Sequence, residues 1–377
     1  MGTNSNIASE RVMTRRLGDN IVISEYTAGK NKFANIVVDR CTKSITNIYS
    51  EIVKYLVENK LVIVSQFLFG TEKHKIDNKE YADKFLNGIK WPVTVLKQET
   101  MNGGYEWGTI LSTISTNNLN PVYDGETVIG NYFEDNYSGY FVFGGLLPGN
   151  SGQSNISQSK QSFKVLESVL AKAGMNIYNV ARTWFYLNHL LNWYDDFNSV
   201  RNDYFTLKGI YEKLIPASTG IGAANLNDCA VLFGGYAIKQ KDSSITISPV
   251  ESPYQCPASD YKSSFSRAIE ISHPDHSQVL ISGTASISPD GKSAHIGDID
   301  KQIELTMKVV QGILQSRNMN WENVTRGIAY FKNRNDINSF YQYCNAKELP
   351  LMPISTIQAD ICRDELLFEI EVDAVSV

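Results

Sequence analysis

The absences in this chain exclude several functional classes before anything present is considered. It has five cysteines and five histidines in 377 residues. Cys41, Cys229, Cys256, Cys344 and Cys362 are odd in number and scattered. They make no CxxC pair and no disulfide framework, which fits a reducing cytoplasm. No run approaches the ~18 apolar residues of a membrane helix, and residues 1–20 lack the 7–15-residue apolar stretch of a signal peptide. We therefore expect no membrane partner and a cytoplasmic location. The net charge of −5 argues against a nucleic-acid surface. Gly220-Ile221-Gly222 and Gly144-Gly145 have neither the Walker lysine nor Rossmann spacing. His273-Pro274-Asp275-His276 looks like a metal fragment, but no third ligand is near and it reads as a hairpin loop. No Ser-His-Asp order is present. Neither a cofactor nor a metal is expected.

What is present is a pattern written three times. Met352-Pro353-Ile354-Ser355-Thr356 precedes Cys362 and then Leu366-Leu367-Phe368-Glu369-Ile370-Glu371. Ile215-Pro216-Ala217-Ser218-Thr219 precedes Asn225 and Val231-Leu232-Phe233-Gly234-Gly235. Trp91-Pro92-Val93-Thr94 precedes Trp107-Gly108-Thr109-Ile110-Leu111. Only the last copy carries the cysteine and the glutamate. Each copy runs through a strand (35–38, 140–143, 278–281), a helix (44–58, 158–173, 301–315) and a β-rich run (61–69, 180–187, 324–331). A second helix (80–86, 195–205, 337–347), the proline-marked strand and a last strand complete it. Phe163, Leu166, Val169 and Leu170, and likewise Ile303, Met307, Val310 and Leu314, fall at helical spacing. Copies two and three share Asn-Val before the β-rich run and place Arg182 and Arg326 in register. Each unit is about 110–125 residues, an ordinary domain size. The expected division is a polar arm over 1–20, a diverged unit over 21–120, a second over 121–245 and a third over 246–377. The aromatic run Trp184 to Tyr194 reads as packing within and between units.

The last strand alternates. Leu366, Phe368, Ile370 and Val372 share one face, and Leu367, Glu369, Glu371 and Asp373 the other. On the residues alone this is a solvated sheet face with acids at period two. Three like charges are costly when buried, so at most one or two of the acids are expected to be enclosed. Cys362, taken alone, is a small buried hydrophobe.

Ser282-Gly283-Thr284-Ala285, Trp321-Glu322-Asn323-Val324, Pro353 and the ending Phe368 to Val375 resemble the RidA (YjgF, L-PSP) family. Its members are trimers of one such domain with sites at subunit interfaces. The resemblance implies an α+β fold of three tandem RidA-like (chorismate mutase-like) units. Each is a β-sheet packed on two helices, and together they form an intrachain pseudo-trimer. A monomer is implied, with further association open. Arg182 to Tyr186, Trp193 to Asn198, Pro216 to Gly222, Ser264 to Ala268 and Ala359 to Arg363 resemble, more narrowly, the chorismatase (chorismate hydrolase) family, which has this tandem architecture.

That resemblance implies a small-molecule substrate, chorismate or a similar carboxylate. It would be cleaved at its enolpyruvyl ether to pyruvate plus a dihydroxycyclohexadiene carboxylate or a hydroxybenzoate. Glu369 matches the family's catalytic acid, which must stay protonated near neutral pH; burial acts in that direction. Phe368, Leu367 and the adjoining unit are the expected apolar wall. Cys362 stands where RidA proteins carry a carboxylate-holding arginine and where chorismatases that form 3-hydroxybenzoate carry a cysteine. Ala285 stands where product type varies in the family. A dicarboxylate calls for cations, best arginine. Arg182, Arg267, Arg326, Lys332, Arg334 and Arg363 are the candidates, each also readable as a solvated charge. Arg267 leads, with Tyr261 in the same segment. The rival readings are a RidA-type enamine/imine deaminase and a non-catalytic small-molecule binder.

Overall fold

The computed structural model describes residues 11–98, 106–261 and 263–377, the side chains of Ser259 and Tyr261 excepted. The first unit comprises β1 (Met13–Leu17), β2 (Ile21–Ala28), β3 (Asn31–Cys41), α1 (Ile45–Glu58), β4 (Val62–Gly70), α2 (Glu72–Phe85), β5 (Val93–Lys97) and β6 (Trp107–Ile114). The second repeats this as β7 (Asn120–Asp124), β8 (Thr127–Glu134), β9 (Ser138–Leu146), α3 (Asn155–Lys172), β10 (Val180–Leu187), α4 (Tyr194–Lys208), β11 (Ala217–Ile221) and β12 (Val231–Gln240). The third is β13 (Thr246–Val250), β14 (Ala268–Ser272), β15 (Ser277–Ala285), α5 (Ile299–Gln315), β16 (Val324–Phe331), α6 (Ile337–Ala346), β17 (Ile354–Gln358) and β18 (Phe368–Ser376).

The three six-stranded sheets share one order: β1-β2-β3-β6-β4-β5, then β7-β8-β9-β12-β10-β11, then β13-β14-β15-β18-β16-β17. In each, the fourth and fifth strands run parallel. Parallel neighbours need a crossover, and the second helix supplies it. The α+β class and the three tandem units are as the sequence implied.

The helices follow their apolar stripes. Ile303, Met307, Val310 and Leu314 are all buried on α5, and Phe163, Leu166, Val169 and Leu170 on α3. Asp298 caps α5 by accepting from the Lys301 amide, and Ser154 caps α3 in the same way. Such caps contribute ~1 kcal/mol each. α2 begins eight residues before the expected Glu80, at Glu72. Its opening turns are polar and rest on Lys73–Asp77 at 2.8 Å and Lys79–Asp83 at 2.7 Å, which an apolar-periodicity reading misses.

The shared Asn-Val dipeptide has a local cause. Asn176 accepts from the Tyr178 amide, and Asn179 accepts from that of Asn176. Asn320 and Asn323 repeat the arrangement. The reciprocal bonds close a tight turn that feeds β10 and β16.

Two expectations are corrected. Each unit opens with a three-strand meander, not one strand. The extra strands are short and mixed in polarity, as in Met13-Thr14-Arg15-Arg16-Leu17, and their partners define them. For the same reason residues 13–17 are not a loose arm: they pair with Ile21–Glu25. The rest of the arm, residues 1–10, lies outside the described residues.

The units close into a ring through equivalent contacts. Thr94 on β5 accepts from the Gly145 amide at 2.9 Å, and Thr219 on β11 from the Gly283 amide at 3.1 Å. Ser355 on β17 donates to Asp39 on β3 at 3.3 Å. Each unit has its own sheet–helix core. Two further apolar clusters draw side chains from all three units. No helix among the described residues is long and apolar enough to cross a membrane.

Candidate active site

Strand register shows how the last copy is specialised. Glu369 lies opposite Tyr330, while Leu232 lies opposite Tyr186 and Gly108 opposite Phe69. The three positions are equivalent, and only one holds a carboxylate.

The acidic face of β18 is not solvated. Glu369, Glu371 and Asp373 are 4%, 0% and 7% exposed, so the expectation that one or two would be enclosed is overturned. Two different devices make this tolerable. The first is charge compensation. Arg182 and Arg326 reach Glu371 at 2.9 and 2.5 Å, and Asp373 at 3.5 and 3.4 Å. The Trp184 indole donates to Glu371 at 2.9 Å, and Thr219 donates to it as well. Burial works to raise Glu371, but the two guanidiniums, with Thr219 and Trp184, carry it below the usual carboxylate range.

The second device is neutralisation. Glu369 has no such partner, and burial, with the Glu371 charge nearby, pushes it up to about 8 against the pull of Arg267. At neutral pH it is a carboxylic acid able to donate a proton.

Glu369 faces a cavity of about 30 Å³ between the second and third units, walled by Tyr194, Gly220, Phe265, Gly283, Ala285 and Ile287. Gly283 leaves the carboxyl room in this position: a Cβ there would overlap Glu369 Oε1 and come within 3.2 Å of Thr219. Phe368, an expected wall residue, lies on the opposite face with its ring 5.0 Å from Phe331. β-alternation sends it into the helix-side core.

Cys362 lines the same cavity. Burial, with Glu369 adding to it, pushes its thiol up to about 12, against Arg363 and Arg267. It is a protonated thiol at neutral pH, not a nucleophilic thiolate. Ala285 pairs with Glu369 across β15 and β18. Gln255 fixes this wall by donating to the Ala285 and Ile287 carbonyls at 2.9 and 3.0 Å.

Arg267 also lines the cavity. Its Nε and Nη2 donate to the Cys256 carbonyl at 3.0 and 2.8 Å. The segment bearing it belongs to the third unit but is docked on the second. The Ser266 amide donates to the Pro216 carbonyl at 3.0 Å, and Ser264 donates to Asn202 at 2.6 Å.

The remaining candidates lie elsewhere. Arg182 is a buried counter-charge that also donates to the Ile281 carbonyl at 2.8 Å, and is not among the residues lining this cavity. Lys332 pairs with Asp364 at 2.6 Å. Arg334 pairs with Glu106 of the first unit and lines a different pocket. Lys332 and Arg334 follow β16, and the chain there turns toward other partners. Arg363 donates to Ser293 at 3.2 Å. The Tyr261 side chain lies outside the described residues.

The sequence reading missed Tyr194 and Arg201, both of which line the cavity from α4. Arg201 donates to Asn198 at 2.6 Å. Tyr194, Asn198 and Arg201 are spaced to share one helix face. That spacing was the available signal, within a motif noticed only for its resemblance. The site thus combines a neutral buried acid, a thiol, a tyrosine and two guanidiniums at one interface. No group of three potential metal ligands is found among the described residues.

The fold and site define a class: three tandem α+β units in a closed ring, with a protonated glutamate at one interface. The chain resembles the chorismatases in both sequence and fold. A chorismatase of Streptomyces hygroscopicus is 27% identical over 218 residues, 51% of this chain and 60% of that protein. A chorismatase of Streptomyces rapamycinicus is 26% identical over 218 residues, 51% of this chain and 63% of that one. The matches to these two relatives thus span less than two thirds of their length. A 3-hydroxybenzoate synthase of Streptomyces hygroscopicus is 23% identical over 263 residues, 62% of this chain and 73% of that one. A chorismatase crystal structure at 1.08 Å resolution aligns over 83% of this chain and 92% of its own, with a TM-score of 0.59 at 18% identity. No protein-family model matches the chain.

Proposed function

We propose that this chain is a chorismatase-type enzyme that cleaves the enolpyruvyl ether of chorismate. The observation that carries the reading is Glu369, a carboxyl pushed up to about 8 inside an interface pocket. The names of the relatives supply the substrate class.

In this mechanism Glu369 gives its proton to the terminal methylene carbon of the enolpyruvyl group. The carbon–carbon double bond supplies the electron pair, and an oxocarbenium ion forms. Water adds to the cationic carbon and loses a proton. The resulting hemiketal forms the ketone carbonyl by losing its hydroxyl proton as its bond to the ring oxygen breaks, and the ring oxygen takes up a proton, releasing pyruvate and a cyclohexadiene diol acid. Glu369, now a carboxylate, recovers a proton from the medium. Its anion is transiently supported by Arg267, whose charge favours ionisation there. Arg267 and Arg201 bind the substrate carboxylates, and the Tyr194 hydroxyl contacts the ring oxygens. Cys362 and Ala285 shape the ring side and steer release between a diol and an aromatic acid. At about 30 Å³ the cavity holds roughly two waters, so substrate binding includes an opening of its walls.

The test is direct. Purified protein is incubated with chorismate, pyruvate is measured enzymatically, and ring products are separated by chromatography. Pyruvate with a diol acid or hydroxybenzoate is the expected result; pyruvate no faster than the spontaneous rate sinks the reading.

A further inference from the structure

Thr219 lies on β11, fully buried, with Trp184 as its partner in register. Phe67–Thr94 and Ala329–Thr356 are the same pairing in the first and third units. Each interface therefore presents one equivalent threonine to the next unit. What stands across from it differs. On the sixth strand the equivalent places hold Gly234, Glu371 and Ile110, and Thr219 is the threonine that meets the glutamate.

A hydroxyl has one hydrogen to give and two lone pairs to accept with, and Thr219 uses all three. It donates to Glu371, and it accepts from the Gly283 amide at 3.1 Å and from Arg182 at 3.3 Å. Gly283 is the residue against which the Glu369 carboxyl lies, since a Cβ there would overlap Glu369 Oε1. Its amide is a donor beside that oxygen, yet it is turned to Thr219. Neighbouring donors are committed in the same way. The Ser218 amide donates to Ser282 at 2.9 Å, and Ser282 donates to the Ser266 carbonyl at 2.5 Å. Arg267 is bound to the Cys256 carbonyl. No described residue donates a hydrogen bond to Glu369.

We infer that Thr219 is a positioning residue for proton transfer by Glu369: its hydroxyl engages the Gly283 amide and fixes the Glu371 carboxylate, so that the acid keeps its proton. The inference rests on the activity proposed for Glu369, but its first consequence is read without substrate. With the hydroxyl gone, the Gly283 amide lies beside Glu369 without its acceptor and pairs with the Glu369 oxygen. Glu371 loses a donor at the same time, which weakens its hold on the anionic form. A hydrogen bond to the charged form and a weaker like charge both favour ionisation of Glu369. The charged and titratable groups around Glu369 are Glu371 on its own strand, Tyr330 on β16, Arg267, Cys362, and Tyr194 and Arg201 on α4. β11 and β15 face the pocket with Ser218, Gly220, Gly283 and Ala285, which do not titrate. Removing the Thr219 hydroxyl deletes none of these groups.

Carbon-13 NMR of protein labelled at its glutamate carboxyls follows the Glu369 titration, with Glu369→Gln identifying the signal. Thr219→Val keeps the shape and removes the hydroxyl; the midpoint should fall by about one pH unit or more. The loss of chorismate turnover with rising pH should move down by the same amount. Thr219→Ser should restore both. Thr94→Val breaks the equivalent bond to Gly145 at another interface and should leave the midpoint in place. Thr219→Cys, with a thiol that donates and accepts only weakly, carries the same prediction should the valine variant not fold. An unmoved midpoint in Thr219→Val or Thr219→Cys, a serine variant that shifts as far as valine, or an equal shift in Thr94→Val would each overturn the inference. A shifted midpoint in a protein that does not turn over chorismate supports the role of Thr219 and sinks only the substrate.

Discussion

The interface between the second and third units can be set against the one between the third and first. Both are built from the same strands in the same register. At the former, Glu369 stands over Gly283, and the pocket keeps a neutral acid, a thiol and two guanidiniums. At the latter, Gly108 replaces the glutamate, and the carboxylate comes from β3 of the same unit as Asp39. Asp39 is fully engaged: it accepts from the Thr356 amide at 2.7 Å, from the Thr356 and Ser355 hydroxyls and from Tyr341. Glu106 is likewise held by Arg40 and Arg334. The lesson is that an acid becomes chemically available through a lack of partners. One interface spends its carboxylates on cohesion; the other withholds partners from a single one.

The largest expected effect tests that distinction at Glu369. Glu369→Gln keeps the shape and removes the acidic proton, so chorismate turnover should fall by roughly 10²–10⁴-fold. In the unmodified protein activity should be lost as pH rises through about 8, because the protonated form is the working one. The same shift has a stability consequence. A carboxyl whose folded pKa lies above its ordinary 4.5 favours the native state fully only below that value. On the order of 4 kcal/mol should therefore disappear between pH 4.5 and about 8. Unfolding in denaturant across that range should show the loss, and Glu369→Gln should lack it. A pH-independent rate, or a flat stability difference between the two proteins, would break the comparison.

Next comes the charge-compensated acid two residues on. Glu371→Ala leaves Arg182 and Arg326 buried with only Asp373 opposite. Removing one partner of a buried ion network costs about 3–5 kcal/mol. Equilibrium unfolding measures it, and a cost below 1 kcal/mol would mean that the network does not hold the ring.

The smallest effect is expected at the cohesive interface. Asp39→Ala should cost about 1–3 kcal/mol through the hydrogen-bond donors it leaves unpaired. Turnover should be unchanged, since nothing at that interface donates a proton to substrate. A fall in turnover comparable to that of Glu369→Gln would show that the two interfaces work together.

Much of the scaffold was readable along the chain. The first and third units' leading helices begin within two residues of expectation because their apolar stripes recur at helical period. β10, β16 and β18 are interior strands; β-rich runs mark the first two and strict alternation marks the last. The outer strands were not readable: β1 and β13 carry too few apolar residues to signal a strand without their neighbours. At the site, Glu369, Cys362, Arg267 and Ala285 were singled out through resemblance, and the structure brings all four to one cavity. Arg201 and Tyr194 were missed because an arginine on a helix looks the same whether it faces solvent or a pocket. Arg182 lies outside that cavity for the converse reason: its partners, Glu371 and Asp373, lie nearly two hundred residues away.

The sequence by itself determined the threefold repetition, the order of the helices and inner strands in each unit and which copy carries unusual polar residues. These are local matters, written as period, turn chemistry and composition. Tertiary structure decided what each charge does. Glu369, Glu371 and Asp373 alternate identically along one strand, and nothing local tells them apart. Ring closure places two arginines from different units over Glu371 and Asp373, and leaves Glu369 enclosed without such a partner. An acid's protonation state depends on the dielectric and the charges around it, and only the assembled ring fixes both.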